Sequence, residues 1–256
     1  MKCLCLALLM ICAVPAFAAI KTESVEYKDG DTVLEGYVAY DDASTAKRPG
    51  ILVVHAWWGL GNQSKNTATR LAELGYVGFA VDMYGKGVLA TAREDAMKLS
   101  GPFRDDRALM RGRVKAALDT LRKNPLVDTT KLAALGYCFG GTTVLELARS
   151  GEPIQGVVSF HGGLNTPNAD DAKKIKAKVL VLHGADDPAV AQDEVLAFQE
   201  EMRKAQVDWQ MIAYGGAVHS FSDPEANSPP TSLYNEKAAR RSWEAMKQFF
   251  AEIFAQ

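Results

Sequence analysis

An excess of charge of one sign is missing from this chain, and so, beyond its first eighteen residues, is all cysteine but one. Twenty-nine lysines and arginines stand against thirty-one aspartates and glutamates in 256 residues, and no basic run interrupts the balance. A chain so evenly charged carries no electrostatic footprint for a nucleic acid or an anionic membrane surface. Of four cysteines, Cys3, Cys5 and Cys12 fall within the first eighteen residues. That stretch begins Met1-Lys2, continues as an apolar run from Cys3 to Phe17, and closes on the small-x-small Ala16-Phe17-Ala18. It reads as a secretory signal peptide, residues 1–18, cleaved near Ala18, with the mature chain exported to the periplasm or the medium. The apolar run is too short for a membrane span, which needs about 20 residues, so no stable membrane insertion is expected. Cys12 lacks the preceding small residue of a lipidation site. Cys138 is then alone in residues 19–256, which excludes an intrachain disulfide framework and leaves no resolving cysteine for reversible disulfide cycling. Internal repeats and low-complexity tracts are absent too, and only Asn227-Ser228-Pro229-Pro230-Thr231 looks loose.

What remains is of a size for one α/β domain over 19–256. Lys21–Tyr27 and Thr32–Tyr40 alternate apolar with polar around an Asp29-Gly30 turn, which predicts an antiparallel hairpin. Continuous apolar runs follow at Gly50–His55, Tyr76–Asp82, Leu132–Tyr137, Gly156–Phe160 and Lys178–His183, the pattern of strands covered on both faces. The segment Asp208–Tyr214 supplies another strand. Helical spacing marks Asn62–Leu74, Thr91–Leu99, Asp105–Leu121, Asp193–Ala205 and Glu236–Phe254, the last with Trp243, Met246, Phe249, Phe250 and Ile253 inward. Strands and helices alternating at this interval predict an α/β fold with a mostly parallel sheet and helices on both faces.

Gly136-Tyr137-Cys138-Phe139-Gly140-Gly141 ends one of these strands, and Thr142–Arg149 has helical character. A strand that turns straight into a helix must fold back sharply, so Cys138 is expected in a strained conformation with glycines clearing space around it. The helix N-terminus behind it favours a thiolate and a developing oxyanion. The plain alternative is a small cysteine filling a buried strand. Ligands in open α/β sheets sit beyond the carboxyl ends of strands. There the chain offers Gly184-Ala185-Asp186-Asp187-Pro188 and, later, Gly215-Gly216-Ala217-Val218-His219-Ser220-Phe221. Nucleophile, acid, histidine is the order of an α/β-hydrolase, giving Cys138, Asp187 and His219; Asp186 reads as a turn residue, with Asp187 open to the same explanation. His55, His161 and His183 also lie at strand ends but out of that order, and His55 and His183 are expected to orient loops. The backbone N–H groups of Phe139 and Trp57 are the candidates for an oxyanion hole. Trp57, Trp58, Tyr84, Phe139, Phe160 and Phe221 suggest an aromatic-accepting pocket, though paired tryptophans also serve as ordinary packing.

Five segments, His55-Ala56-Trp57-Trp58-Gly59-Leu60, Asp82-Met83-Tyr84-Gly85, Gly136–Gly141, His183–Pro188 and Gly215–Phe221, together resemble the dienelactone hydrolase family across essentially the whole mature chain. The resemblance implies hydrolysis of small-molecule esters or lactones by a Cys138, Asp187, His219 triad through a thioester, with Phe139 and Trp57 as oxyanion donors and with no metal or organic cofactor. It also implies two departures. Ala56 stands where the family has a glutamate beside the thiol, and Lys86 and Asp223 stand where dienelactone-cleaving members have arginines that grip the substrate carboxylate. The charge at Asp223 is inverted, which disfavours a small anionic lactone. A thioesterase or peptidase using the same triad, and a non-catalytic binding protein that kept the fold, are the alternatives.

Overall fold

Gly30, at φ +58°, folds the chain back on itself between β1 (Ile20–Asp29) and β2 (Thr32–Asp41), whose register runs from Ile20 opposite Asp41 to Asp29 opposite Thr32. This is the expected hairpin, and it opens a computed structural model that describes residues 19–255; the proposed signal peptide, Met1–Ala18, lies outside the described residues. β3 (Arg48–Val54), β4 (Val77–Val81), β5 (Val127–Tyr137), β6 (Gly156–Phe160), β7 (Lys178–Gly184) and β8 (Trp209–Tyr214) complete an eight-stranded sheet in the order β1-β2-β4-β3-β5-β6-β7-β8. Only β1 with β2 and β2 with β4 run antiparallel; β4 through β8 are parallel neighbours. The carboxyl ends of the parallel strands therefore share one edge, where loops can converge.

Both faces of the sheet are covered, which is why the central strands read as unbroken apolar runs. On one side lie α3 (Arg107–Arg122), α4 (Phe139–Arg149) and α5 (Gln192–Lys204), with Val114, Ala117, Leu118 and Leu121 of α3 buried as their spacing requires. On the other lie α1 (Asn62–Glu73) and α6 (Glu236–Phe254), which bury Ala68, Leu71, Met246, Phe249, Phe250 and Ile253. Trp243 departs from expectation. It is only partly buried and lies face-on to Arg70, whose guanidinium carbon is 3.5 Å from the ring centroid.

Helix boundaries differ where side chains, not spacing, decide them. α2 (Arg93–Asp105) continues through Gly101 and Pro102, because the burial of Phe103 outweighs the hydrogen bond that proline removes. It stops where Asp106 caps α3, its carboxylate accepting from the N–H groups of Ala108 and Leu109. The Asn227–Thr231 stretch is also more ordered than its composition suggests: β9 (Asn227–Ser228) pairs with β10 (Ser232–Leu233).

α4 has Cys138 at its N-terminus and is buried all round, two charged residues included. Arg149 donates through Nε and Nη2 to Glu201 of α5 at 2.8 and 2.7 Å, through Nη1 to Glu146 at 3.0 Å, and through Nη2 to the Leu164 carbonyl at 2.9 Å. Arg111 of α3 closes the network onto Glu146 and Asp171. Charges buried this deeply are tolerable only when every partner is present. Their geometry ties α4 to α3, α5 and the loop after β6, three elements that also frame the site.

Candidate active site

Cys138 sits at φ +52°, ψ −112°, a conformation that a residue with a β-carbon rarely adopts. The turn around it is crowded at backbone level. A β-carbon on Gly136 would overlap the carbonyl oxygen of Gly140, and one on Gly140 would overlap the carbonyl of Val54. A β-carbon on Gly141 would lie 2.7 Å from Ser159 Oγ and 2.8 Å from Gly162 Cα. The glycine pattern is thus a packing requirement of the strand-to-helix turn. Cys138 itself is pinned through its N–H, which donates to the Phe160 carbonyl at 3.0 Å.

Two loops bring the partners to it. After β7, Asp187 is buried, and its Oδ1 accepts from the Ala189 N–H at 2.8 Å. Asp187 Oδ2 accepts from His219 Nδ1 at 2.8 Å, and His219 Nε2 lies 3.0 Å from Cys138 Sγ. Sulfur, imidazole and carboxylate are therefore hydrogen-bonded in series, although they are 81 and 32 residues apart along the chain. Asp186 is exposed and accepts from the Gly216 N–H, which is turn chemistry.

Electrostatics separate the four histidines. Burial holds His55 down at about 4 and lowers His161 and His183 as well, so all three are neutral at physiological pH. His219 is buried too, yet its bonds to Asp187 and Cys138 overcome the desolvation and push it up to about 10. Burial alone would raise the Cys138 thiol. The hydrogen bond and charge of His219, with smaller help from the Phe139 N–H and Arg104, bring it below its ordinary value instead. The pair therefore favours thiolate and imidazolium.

The expected walls are only partly where the sequence puts them. Tyr84 is half-buried, lies 5.8 Å from the Phe139 ring, and donates its hydroxyl to the Trp57 carbonyl at 3.0 Å. Trp58 is 44% exposed and lines a groove of about 730 Å³ together with Ala56, Arg70, Phe160, Asp223 and Trp243. This groove adjoins the site at Ala56 and Ser222, on the α1 and α6 side; Cys138 is not on its wall. Two expected pocket residues are elsewhere. Lys86 extends along the antiparallel edge, its Nζ 2.8 Å from Glu26 and 3.6 Å from Glu35, because the open sheet edge offers it carboxylates and the site does not. Phe221 is fully buried against His161 and Tyr214 and is part of the core.

Other neighbours have no linear signature. Arg93 and Arg104 lie 5.5 and 5.9 Å from the centroid of Trp57, and His161 Nε2 is 2.8 Å from Ser222 Oγ. Helix α2 is the only clue to the arginines, and it runs to Asp105, six residues beyond the Leu99 that spacing predicts. Among the described residues no cluster of histidine, cysteine, aspartate and glutamate has the form of a metal site, and no helix is long and apolar enough to cross a membrane.

A strained residue at a strand-to-helix elbow, with loops from the next strands converging on it at the carboxyl edge of a mostly parallel sheet, makes this chain an α/β-hydrolase. The sequence model of the dienelactone hydrolase family matches residues 34–254, and the chain belongs to that family, an ester or lactone hydrolase by class. It is similar to the solved dienelactone hydrolase-like promiscuous phosphotriesterase P91 from metagenomic libraries, at 43% identity and a TM-score of 0.88, covering 92% of this chain and 99% of that one. A second solved structure, m3DLH, is 41% identical with a TM-score of 0.89 over the same shares. Among curated proteins, protein usf of Aquifex pyrophilus is 30% identical over 90% of this chain and 98% of its own length.

Proposed function

We propose that this chain is an exported hydrolase of carboxylic esters or lactones that works through a thioester on Cys138. One observation carries the proposal: the unbroken series from Cys138 Sγ through the His219 ring to a buried Asp187. The thiolate attacks the acyl carbon, and the carbonyl oxygen takes the negative charge against the N–H groups of Phe139 and Trp57. When the tetrahedral species collapses, the bond to the alkoxy oxygen breaks and imidazolium His219 protonates the departing alcohol. Water then attacks the thioester and gives its proton to His219, the carbon–sulfur bond breaks to release the acid, and the thiolate–imidazolium pair is restored. Asp187 holds the imidazole by Nδ1 and stabilises its charged form without taking the proton.

Neutral substrates fit better than small anionic ones. Asp223 lines the groove with a negative charge, and Lys86 is engaged by Glu26, so neither of the positions that resemble the family's carboxylate grip can serve it. The test is intact mass during turnover of p-nitrophenyl acetate. An acetyl adduct on the wild-type chain, lost in Cys138→Ala, is the expected result. Rapid hydrolysis with no adduct on a quenched sample, or equal turnover in the variant, would overturn the thioester route.

Ala56 makes a second expectation. It leaves the thiol without a competing carboxylate, free to pair with His219. Installing Ala56→Glu should slow iodoacetamide alkylation of Cys138 at neutral pH, since a carboxylate beside the sulfur raises its pKa. An unchanged or faster rate would show that the missing glutamate is immaterial to the resting thiol.

A further inference from the structure

His55 takes no part in the chemistry so far, yet like His219 it has both ring nitrogens hydrogen-bonded. It is buried, packed 4.9 Å from the Tyr84 ring and 6.0 Å from that of Phe139. Its Nε2 receives the backbone N–H of Met83 at 3.2 Å, and its Nδ1 lies 2.5 Å from the carbonyl oxygen of Ala56. A backbone N–H can only donate, so Nε2 must carry the lone pair. The proton then resides on Nδ1, and Nδ1 donates to Ala56. The Asp82–Met83 peptide whose N–H imposes this tautomer is itself held, because the Tyr27 hydroxyl donates to its carbonyl at 2.9 Å, and the next carbonyl, that of Met83, accepts from Arg113 Nη1 at 2.9 Å. Asp82 Oδ1 fixes the following turn by accepting from the N–H groups of Tyr84 and Gly85.

The Ala56 carbonyl and the Trp57 N–H belong to one peptide unit. In a planar trans peptide these two groups point in opposite directions. The Ala56 carbonyl also accepts from the Gly59 N–H, at 3.3 Å, but the bond to the imidazole is the shorter, at 2.5 Å; by drawing the carbonyl toward the packed ring it turns the N–H the other way, and a carbonyl so bonded polarises its own N–H into a better donor. The next unit is fixed as well, by the Tyr84 hydroxyl on the Trp57 carbonyl. Among the described residues the Trp57 N–H has no acceptor, and its neighbours on either side are tied down.

We propose that His55 is a positioning residue of the oxyanion hole: through Met83 N–H, neutral imidazole and the Ala56 carbonyl in series, it aims and polarises the Trp57 N–H at the developing oxyanion. Burial holds this imidazole down to about 4, so it is neutral, and the relay intact, at neutral pH, where His219 is charged. The inference rests on the oxyanion role of Trp57 proposed above. It goes further in assigning that amide its direction and strength from a residue outside the triad.

Two probes separate this role from simple packing. A trifluoromethyl ketone analogue of the ester adds to the thiol as a hemithioketal and needs the oxyanion hole, whereas iodoacetamide alkylates the same sulfur without one. His55→Phe keeps the ring, His55→Asn returns an amide donor near Nδ1, and His55→Gln moves the amide to the Nε2 position. Phe and Gln are expected to weaken the ketone about ten- to a hundredfold and lower kcat alike, with KM for p-nitrophenyl acetate little altered, alkylation within about twofold of wild type, and Asn recovering most of the loss. Should the Phe variant not fold, the contrast between Asn and Gln carries the test. Ketone affinity and alkylation falling together in all variants, or neither falling, would overturn the proposal. A wild-type chain that forms no ketone adduct would overturn the thiol reading itself, and a Trp57-based inference with it.

Discussion

His219→Ala is expected to abolish more than turnover: it should reverse the direction in which the Cys138 thiol departs from its ordinary pKa. Burial is the largest influence on that thiol and acts upward; the imidazole, through hydrogen bond and charge, is what brings the net effect below the ordinary value. In the wild-type chain the thiol therefore ionises more readily than an ordinary one, beside an imidazolium that keeps its proton up to about 10. Iodoacetamide alkylation should rise with pH at lower values than for an ordinary thiol, in line with that downward shift. Without the imidazole, desolvation acts unopposed, so the alkylation rate at pH 7 should drop at least about tenfold and climb with pH beyond the range of a free thiol. Ester turnover should fall by on the order of 10⁴-fold or more, as it should in Cys138→Ala, and the double variant should be little worse than either, because the two groups act as one unit. A His219→Ala profile unmoved from that of the wild type would mean that helix α4 and Arg104, not the imidazole, ionise the sulfur.

Why this much could be read from the sequence is itself physical. The parallel strands are covered on both faces, so they announce themselves as uninterrupted apolar runs. Tight turns need glycine, so Gly136, Gly140 and Gly141 mark the elbow. The acid and the histidine follow strands because that is where loops reach the sheet edge, and chain order then separates His219 from His55, His161 and His183. Other features have no local signal. Glu146 and Arg149 look like an exposed face of α4 until Glu201 and Arg111 arrive from other helices to neutralise them. Pro102 reads as a helix breaker because the burial of Phe103 cannot be seen from one dimension. Motif position points Lys86 at the site, but its partners, Glu26 and Glu35, come from the N-terminal hairpin. Phe221 follows the histidine closely enough to suggest a pocket wall, yet the turn at Ser220, with φ +56°, sends it into the core. The role of His55 depends on Met83, 28 residues away, and on which lone pair that amide occupies.

The elbow glycines allow the sharpest test of how fold and site depend on one another. In Gly136→Ala the added methyl meets the Gly140 carbonyl carbon and oxygen and the Gly141 nitrogen, all of them backbone, so no side chain can rotate to make room. Helix α4 must shift, and it is held by Arg149 to Glu201 and Leu164 and by Gly140 against Val54. The expected cost is about 3 kcal/mol or more, at the upper end of what overpacking a rigid core brings. Gly112→Ala in α3 is the control: a β-carbon there meets nothing within 4 Å, and the helical backbone should gain about 0.5–1 kcal/mol. Urea unfolding midpoints should therefore move in opposite directions for two identical substitutions. Whatever Gly136→Ala protein remains folded should also alkylate slowly at neutral pH, because a displaced α4 carries Cys138 away from a His219 that is anchored independently through Asp187. Wild-type stability in Gly136→Ala would mean that the elbow can relax at little cost. The strain at Cys138 would then be incidental to the turn, and the glycines would need another explanation than the approach of strand and helix backbones.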